Sequence, residues 1–462
     1  MKAADAGVLN DLLARAGDAE AFEAWRTRGR ATGWCRHPVR LTGATRHVDA
    51  GTGEVRSVFS SSGLPDGVLL KACQQRRATL CPTCSATYGA DAFQLVSAGL
   101  RGGKGIPETI ADHPAIFATL TAPTFGAVHS AAKRGAKDAR CRPDAQGTCT
   151  HGRPRTCADC HDPRSPILGQ PICAECFDYP GAVVWNALAG ELWRRTTIRL
   201  RRSLARRVGV PASRLPEVMR VSFAKVVEYQ RRGVVHVHTV IRLDPTDRDA
   251  MGCNAEELTL ATLEAVRAVT VPCPESPGLI GPIRWGEQCD VQVLGQHGLA
   301  AVGAAGYIAK YITKSTDPAG VLDRRLKADD ISQIEALLSP HIARLVRMAW
   351  DLGGRPELAH LRLRAWAHTL GFRGHWLTKS RAYSTTFAAL RSARQHWHAR
   401  HGEHDQTENV TVGAWRFAGR GWTSPGDAWL AESAANEMTR VRRTAREERR
   451  GTTGTAPDGG TA

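Results

Sequence analysis

The chain has 462 residues, and its 62 lysines and arginines against 45 aspartates and glutamates give a formal net charge of +17 at pH 7. This length predicts two or three domains, and the charge indicates a polyanionic partner such as nucleic acid. No run of about 20 apolar residues is present, which argues against a membrane-spanning helix. The N-terminus also lacks a signal-peptide core. We therefore expect a cytoplasmic protein whose 13 cysteines remain reduced and partly serve as metal ligands.

The N-terminal region, residues 1–114, begins with helical periodicity and then carries a first group of cysteines. Cys81 and Cys84 have the Cys-x-x-Cys spacing of structural zinc sites, and Cys35 and Cys73 supply two further thiolates. We predict a Zn²⁺ ion bound by these four residues. Buried free thiols are the alternative for Cys35 and Cys73.

Residues 126–180 form a cysteine-rich insertion with little periodicity. Two Cys-x-x-Cys pairs separated by 12 residues predict a second structural zinc site. The predicted ligands are Cys157, Cys160, Cys173 and Cys176. Neighbouring side chains that can replace a ligand or bind a second ion are Cys141, Cys149, His151 and His161.

A helix is predicted directly after this insertion, with two tryptophans and two leucines on one face. It continues into an arginine-rich stretch, which we interpret as a candidate DNA-binding surface. A solvated helix face is the alternative. The candidate residues are Arg194, Arg195, Arg199, Arg201 and Arg202.

Residues 218–243 predict a β-hairpin, because two β-branched and aromatic runs flank a short loop that ends in glycine. A three-residue loop at 231–233 places Glu228 opposite His236, about 5 Å away at Cβ. His238 projects from the same face two residues later. One carboxylate and two imidazoles form a candidate site for Mn²⁺ or Mg²⁺, although Fe²⁺ or Zn²⁺ also fits. Ordinary strand histidines are the alternative.

A second helix carries two tyrosines and two lysines in a repeated Tyr-x-x-Lys pattern, Tyr307 with Lys310 and Tyr311 with Lys314. Residues four apart on a helix share one face, so both phenols face the same way. A phenol with a pKa of about 10 is a weak nucleophile at neutral pH, and a nearby lysine and metal ion favour the phenolate. Packing of both tyrosines in a core is the alternative.

Three motifs together resemble those of the HUH endonuclease superfamily, and more specifically the two-tyrosine rolling-circle replication initiators of actinobacterial plasmids and integrative elements. The first is Phe-Ala-Thr-Leu-Thr at 117–121, the second is the metal motif at 228–238, and the third is the tyrosine motif at 307–311. Their order and separation agree with that family over residues 115–315.

The resemblance implies an α+β fold, in which a central antiparallel sheet with flanking helices forms an HUH nuclease core. Cysteine-rich zinc-binding modules and a helical C-terminal region accompany this core. The predicted divisions are an N-terminal zinc-containing region at 1–114, the core at 115–320, a helical region at 321–439 and a disordered tail at 440–462.

The resemblance also implies an activity. Such a protein nicks one strand of origin DNA through a 5′-phosphotyrosine intermediate and later rejoins strands, which starts and terminates rolling-circle replication. The sequence contains no complete phosphate-binding loop of a helicase. A host helicase and a host polymerase are therefore the expected partners.

Two other functions remain open at this stage. A transposase or a conjugative relaxase uses similar chemistry, but a relaxase usually has three histidines and an N-terminal tyrosine. A non-enzymatic zinc-containing regulator that binds DNA would explain the charge and the cysteines. It would leave the histidine and tyrosine motifs without a role.

Overall fold

A computed structural model describes residues 6–49, 52–131, 140–142, 146–246, 253–294, 301–314, 322, 324–399 and 409–452. The helices are α1 (Ala6–Ala16), α2 (Ala19–Ala31), α3 (Pro82–Arg101), α4 (Tyr179–Arg207), α5 (Leu215–Val218), α6 (Ala255–Ala268), α7 (Ala301–Lys314), α8 (Ala328–Ser332), α9 (Ile334–Leu337), α10 (Pro340–Leu352), α11 (Phe387–Ala399) and α12 (Pro425–Thr452). The strands are β1 (Val39–Asp49), β2 (Val55–Ser60), β3 (Leu69–Lys71), β4 (Ala115–Leu120), β5 (Met219–Tyr229), β6 (Val235–Pro245), β7 (Thr270–Val271), β8 (Ile283–Arg284), β9 (Cys289–Val293), β10 (Leu377–Lys379) and β11 (Asn409–Arg420).

The chain forms two compact units, and the first combines both ends of the sequence: Met1–Asp91 with Arg391–Ala462. Its sheet is built on β1, which pairs antiparallel with β11, β2 and β3. A small core around Trp25 and Trp422 lies in the same unit.

This unit differs from the predicted division of the chain. The region expected to be helical, 321–439, contributes the long strand β11, and the tail expected to be disordered is helical in α12 as far as Thr452. Residues 453–462 lie outside the described part. The pairing of β1 with β11 joins segments more than 350 residues apart, so no local sequence pattern predicts it.

The second unit, Ala92–Leu390, contains a five-stranded sheet in the order β10-β5-β6-β4-β9. Every neighbouring pair in it is antiparallel. The α+β prediction with a central antiparallel sheet is thus confirmed.

Alternation along the strands gives this sheet two different faces. On β4, the residues Ile116, Ala118 and Leu120 belong to the main hydrophobic core, into which α4, α6 and α10 also pack. Phe117 and Thr119 point to the opposite face, against which α7 lies. The predicted tyrosine helix therefore packs on the sheet that contains the predicted metal hairpin.

The hairpin between β5 and β6 has the predicted geometry. The amide of Gln230 donates to the carbonyl of Val234 at 2.9 Å, which closes a loop of three residues. Gly233 at the end of this loop has φ +74, a left-handed conformation that glycine adopts without strain. The loop aligns Glu228 with His236, as the sequence predicts.

Arg242 on β6 is a buried cation that connects the sheet to neighbouring segments through hydrogen bonds. Its side chain is fully buried and donates two hydrogen bonds to the carboxylate of Asp244, at 2.5 and 3.0 Å. It also donates to the carbonyl oxygens of Gly99 and Tyr383. The arginine therefore links β6 to α3 and to the segment after β10.

We expect Arg242→Ala to lower the free energy of unfolding by about 3–5 kcal/mol, because it leaves the partly buried Asp244 carboxylate without its main cationic partner. Denaturant unfolding followed by circular dichroism measures this change. The control is Arg347→Ala, which removes an exposed ion pair with Glu335 and should cost under about 1 kcal/mol. Equal losses in the two variants would contradict a structural role for Arg242.

Candidate metal centre and tyrosine site

Glu228, His236 and His238 form a compact cluster on the α7 side of the second sheet. The Nε2 atoms of His236 and His238 lie 3.3 and 3.5 Å from the same carboxylate oxygen, Oε2 of Glu228. Glu228 and His238 are 8% and 2% exposed, whereas His236 is half-buried. The cluster is open to solvent on the His236 side and closed on the other.

A threonine orients the buried histidine. The hydroxyl of Thr119 on β4 lies 3.0 Å from Nδ1 of His238, and the two residues are direct cross-strand partners. This contact leaves Nε2 of His238 directed toward Glu228. Thr119 belongs to the Phe-Ala-Thr-Leu-Thr motif, which by itself does not indicate this role. The alternation of side chains along β4, which places Thr119 on the same face of the sheet as the histidines, is the sequence feature that could have indicated it.

The protonation states of the cluster suit a cation. Burial lowers the pKa of the His238 imidazole below its ordinary value, which favours the neutral ring. Burial by itself raises the pKa of Glu228, but the influence of the adjacent His236 and His238 imidazoles outweighs it and the pKa is lowered. A neutral imidazole beside an ionised carboxylate is the form in which these groups bind metals.

Tyr307 on α7 lies over this cluster. Its ring meets the rings of His238 and Phe117 edge-on, with centroid separations of 5.2 and 5.4 Å. The side chain is 37% exposed, so a ligand can reach it from solvent. The backbone of α7 also includes Lys310, Tyr311 and Lys314, but their side chains lie outside the described part.

The N-terminal cysteines come together as predicted. The thiols of Cys35, Cys73, Cys81 and Cys84 lie within 4.8 Å of one another. Two backbone amides donate to sulfur atoms of this group, Cys73 N to Cys35 at 3.2 Å and Arg36 N to Cys81 at 3.4 Å.

The cysteines of the insertion are grouped differently from the prediction. Cys157 is not joined to Cys173 and Cys176, and Cys160 is exposed and belongs to neither group. Instead, the described part of the insertion contains two mixed groups. The first contains His129, Cys141, Cys157 and His161, and the second contains Cys149, His151, Cys173 and Cys176. All of the added residues except His129 were predicted as possible ligands from the sequence.

The arginine-rich part of α4 is engaged in ion pairs within the protein. Arg194 and Arg195 contact Glu191 on the same helix, at 2.6 and 2.8 Å, and Arg199 lies 3.5 Å from Glu264 of α6. Arg201 and Arg202 are exposed.

Helix α4 packs on the sheet face opposite the metal cluster, as Trp193 shows by contacting Phe223 and Lys225. DNA binding by this surface remains a prediction. The position of α4 argues against contact between its arginines and a phosphate held at the cluster.

An antiparallel sheet that presents a carboxylate and two imidazoles beside an accessible tyrosine defines a candidate site for phosphate chemistry. Residues 21–436 match the family described as "Replication initiator protein, pSAM2" (RepSA). The chain is also 40% identical over 466 residues to a replication initiator protein of Streptomyces ambofaciens, with 96% of each chain covered. The chain therefore belongs to this family of replication initiator proteins.

No solved structure matches the chain. Among the residues that the structure describes, no helix has the length and apolarity needed to cross a membrane.

Proposed function

We propose that this replication initiator nicks one strand of plasmid or integrative-element origin DNA and becomes attached to the 5′ end through a tyrosine. The observation that carries the proposal is the position of the Tyr307 ring, 5.2 Å from that of His238, beside a cluster suited to a metal. Membership in a replication initiator family and the charge of +17 agree with DNA as the substrate.

Glu228, His236 and His238 fit a divalent cation, since one carboxylate oxygen and two imidazole nitrogens lie within 4.8 Å of one another. A bound Mn²⁺ or Mg²⁺ would polarise a phosphate oxygen and stabilise the charge that develops in the transition state. Thr119 would keep the His238 ring in the orientation that binds the cation.

Tyr307 is the proposed nucleophile for the first cleavage. Its phenolic oxygen attacks phosphorus and loses its proton to solvent, so that a tyrosine–phosphate ester forms as the bond from phosphorus to the 3′-oxygen breaks. The 3′-oxygen takes up a proton and leaves as a 3′-hydroxyl. Attack of a 3′-hydroxyl on the ester reverses these steps and rejoins strands without ATP.

Tyr311 is the proposed second nucleophile, because it lies one helical turn beyond Tyr307 on α7. One tyrosine would hold the first DNA end while the other cuts again at the end of a replication round. Lys310 and Lys314 would favour the phenolate form of the tyrosines.

In the direct test, the purified protein is incubated with single-stranded oligonucleotides taken from the DNA that flanks its gene. The incubation is done with and without Mn²⁺ or Mg²⁺. We expect a covalent adduct only with metal, and mass spectrometry should locate it on a tyrosine of α7 joined to a 5′ phosphate. Sequence-specific binding without any cleavage would instead favour a DNA-binding regulator. Cleavage at transposon ends or transfer origins would favour a transposase or relaxase.

Thr119→Val should raise the metal concentration needed for half-maximal cleavage by about 10–100-fold, because the buried imidazole loses its orienting hydrogen bond. The rate at saturating metal should change much less. Thr119→Ser restores the hydroxyl and should restore the metal dependence. If valine and serine variants behave alike, the hydroxyl does not position His238.

A further inference from the structure

The cysteine-rich insertion contains two sets of metal-binding side chains whose order along the chain alternates. The first set contributes a pair of residues, the second set contributes the next pair, and the pattern then repeats. In chain order, the pairs are His129 and Cys141, Cys149 and His151, Cys157 and His161, and Cys173 and Cys176.

The spacing of the donor atoms is close to that of tetrahedral zinc, with one distance slightly shorter. With Zn–S of about 2.3 Å and Zn–N of about 2.0 Å, neighbouring donors lie roughly 3.3–3.8 Å apart. In the first set, Nε2 of His161 lies 3.1 Å from Nδ1 of His129 and 3.3 Å from Sγ of Cys157. In the second, Nδ1 of His151 lies 3.3 and 3.8 Å from the sulfurs of Cys176 and Cys173.

Short backbone contacts explain why the pairs alternate. Arg142 and Cys157 form an antiparallel bridge, which brings Cys141 beside Cys157. Thr148 and Pro154 form another, which closes a tight turn that carries Cys149 and His151. The Cys-x-x-Cys pair at 173–176 completes the second set.

A loop of this insertion, residues 163–169, also contacts the turn of the metal hairpin at Arg231. Arg231 donates to the carbonyl oxygens of Pro163 and Ser165, at 2.7 and 3.3 Å. Gly169, with φ +85, packs so closely on Arg231 that an added Cβ would lie 2.5 Å from its carbonyl carbon. This loop lies between the ligands Cys157 and His161 of the first set and the ligands Cys173 and Cys176 of the second set.

We propose that the described residues between His129 and Cys176 form a module with two structural Zn²⁺ ions, one bound by two cysteines and two histidines and the other by three cysteines and one histidine. The module holds the turn that sets the register of Glu228 and His236. With the four-cysteine group of the first unit, the described residues would provide three structural zinc sites. The proposal does not depend on the nicking activity.

The test is metal content and ligand type in the purified full-length protein. In a His236→Ala, His238→Ala protein, which lacks both imidazoles of the Glu228 cluster, we expect three zinc ions per chain by elemental mass spectrometry. X-ray absorption at the zinc edge should give an average of three sulfur and one nitrogen ligand per ion, from the nine cysteines and three histidines of the three groups. Two zinc ions per chain with sulfur ligands alone would overturn the proposal.

Cys157→Ser and Cys160→Ser form a matched pair, because they lie in the same Cys-x-x-Cys motif but only Cys157 belongs to a ligand group. Cys157→Ser should lose at least one zinc ion per chain, whereas Cys160→Ser should keep all three. Equal zinc loss in both variants would contradict the alternating arrangement.

Hydrogen exchange tests the contact with the hairpin. Cys173→Ser should increase amide exchange both in residues 163–172 and in the turn at 230–234, while Cys160→Ser should leave both unchanged. If exchange at the turn stays at the wild-type level after zinc is lost, the module does not hold the hairpin.

Discussion

Tyr307→Phe is expected to lower the rate of the first DNA cleavage by about 10³-fold or more, since it removes the proposed nucleophilic oxygen. Phenylalanine retains the ring that packs edge-on against Phe117 and His238. A loss of cleavage would therefore report lost chemistry rather than lost packing. The measurement is the rate of covalent adduct formation with a labelled single-stranded origin oligonucleotide.

Tyr311→Phe is the matched control, because it makes the same chemical change one turn further along α7. We expect it to allow the first cleavage and to impair the second. An adduct on Tyr311 at the wild-type rate in the Tyr307→Phe protein would reverse the order of the two tyrosines. An adduct in the double variant would contradict the phosphotyrosine mechanism altogether.

Glu228→Gln should lower metal-dependent cleavage by at least about 10²-fold at a fixed Mn²⁺ concentration. The amide has nearly the same shape as the carboxylate but lacks its charge, and hard divalent cations prefer charged oxygen ligands. Calorimetric titration with Mn²⁺ should show weaker binding, and more metal should restore part of the activity.

Glu217→Gln is the control for this change. Glu217 lies in α5, directly before β5, and forms an exposed ion pair with Arg214. It should have wild-type metal binding and cleavage. Unchanged Mn²⁺ affinity in Glu228→Gln would show that the catalytic metal binds elsewhere.

The metal hairpin could be predicted because its information is local. A three-residue loop ending in a left-handed glycine sets the register, and strand alternation then decides which side chains share a face. Glu228, His236 and His238 follow from these two rules without reference to the rest of the chain. The helical periods of α4, α6 and α7 are local in the same sense.

The grouping of cysteines in the insertion could not be predicted in this way. A Cys-x-x-Cys spacing indicates that two thiols can share an ion, but not which second pair completes the site. The bridge between Arg142 and Cys157 brings Cys141 to Cys157, and the bridge between Val128 and Pro171 positions His129, which has no motif of its own. The N-terminal group was easier to predict, because its four cysteines are well separated in sequence from the other nine cysteines.

The sequence by itself determined the hairpin register, the order of the three motifs and the helix that carries the tyrosines, since each depends on residues close together in the chain. Only the tertiary structure decided that Tyr307 lies over His238, that Thr119 orients the buried imidazole and that α4 lies on the opposite face of the sheet. The pairing of β1 with β11 also became apparent only in the tertiary structure. These arrangements depend on packing between segments far apart in sequence, which no local pattern encodes.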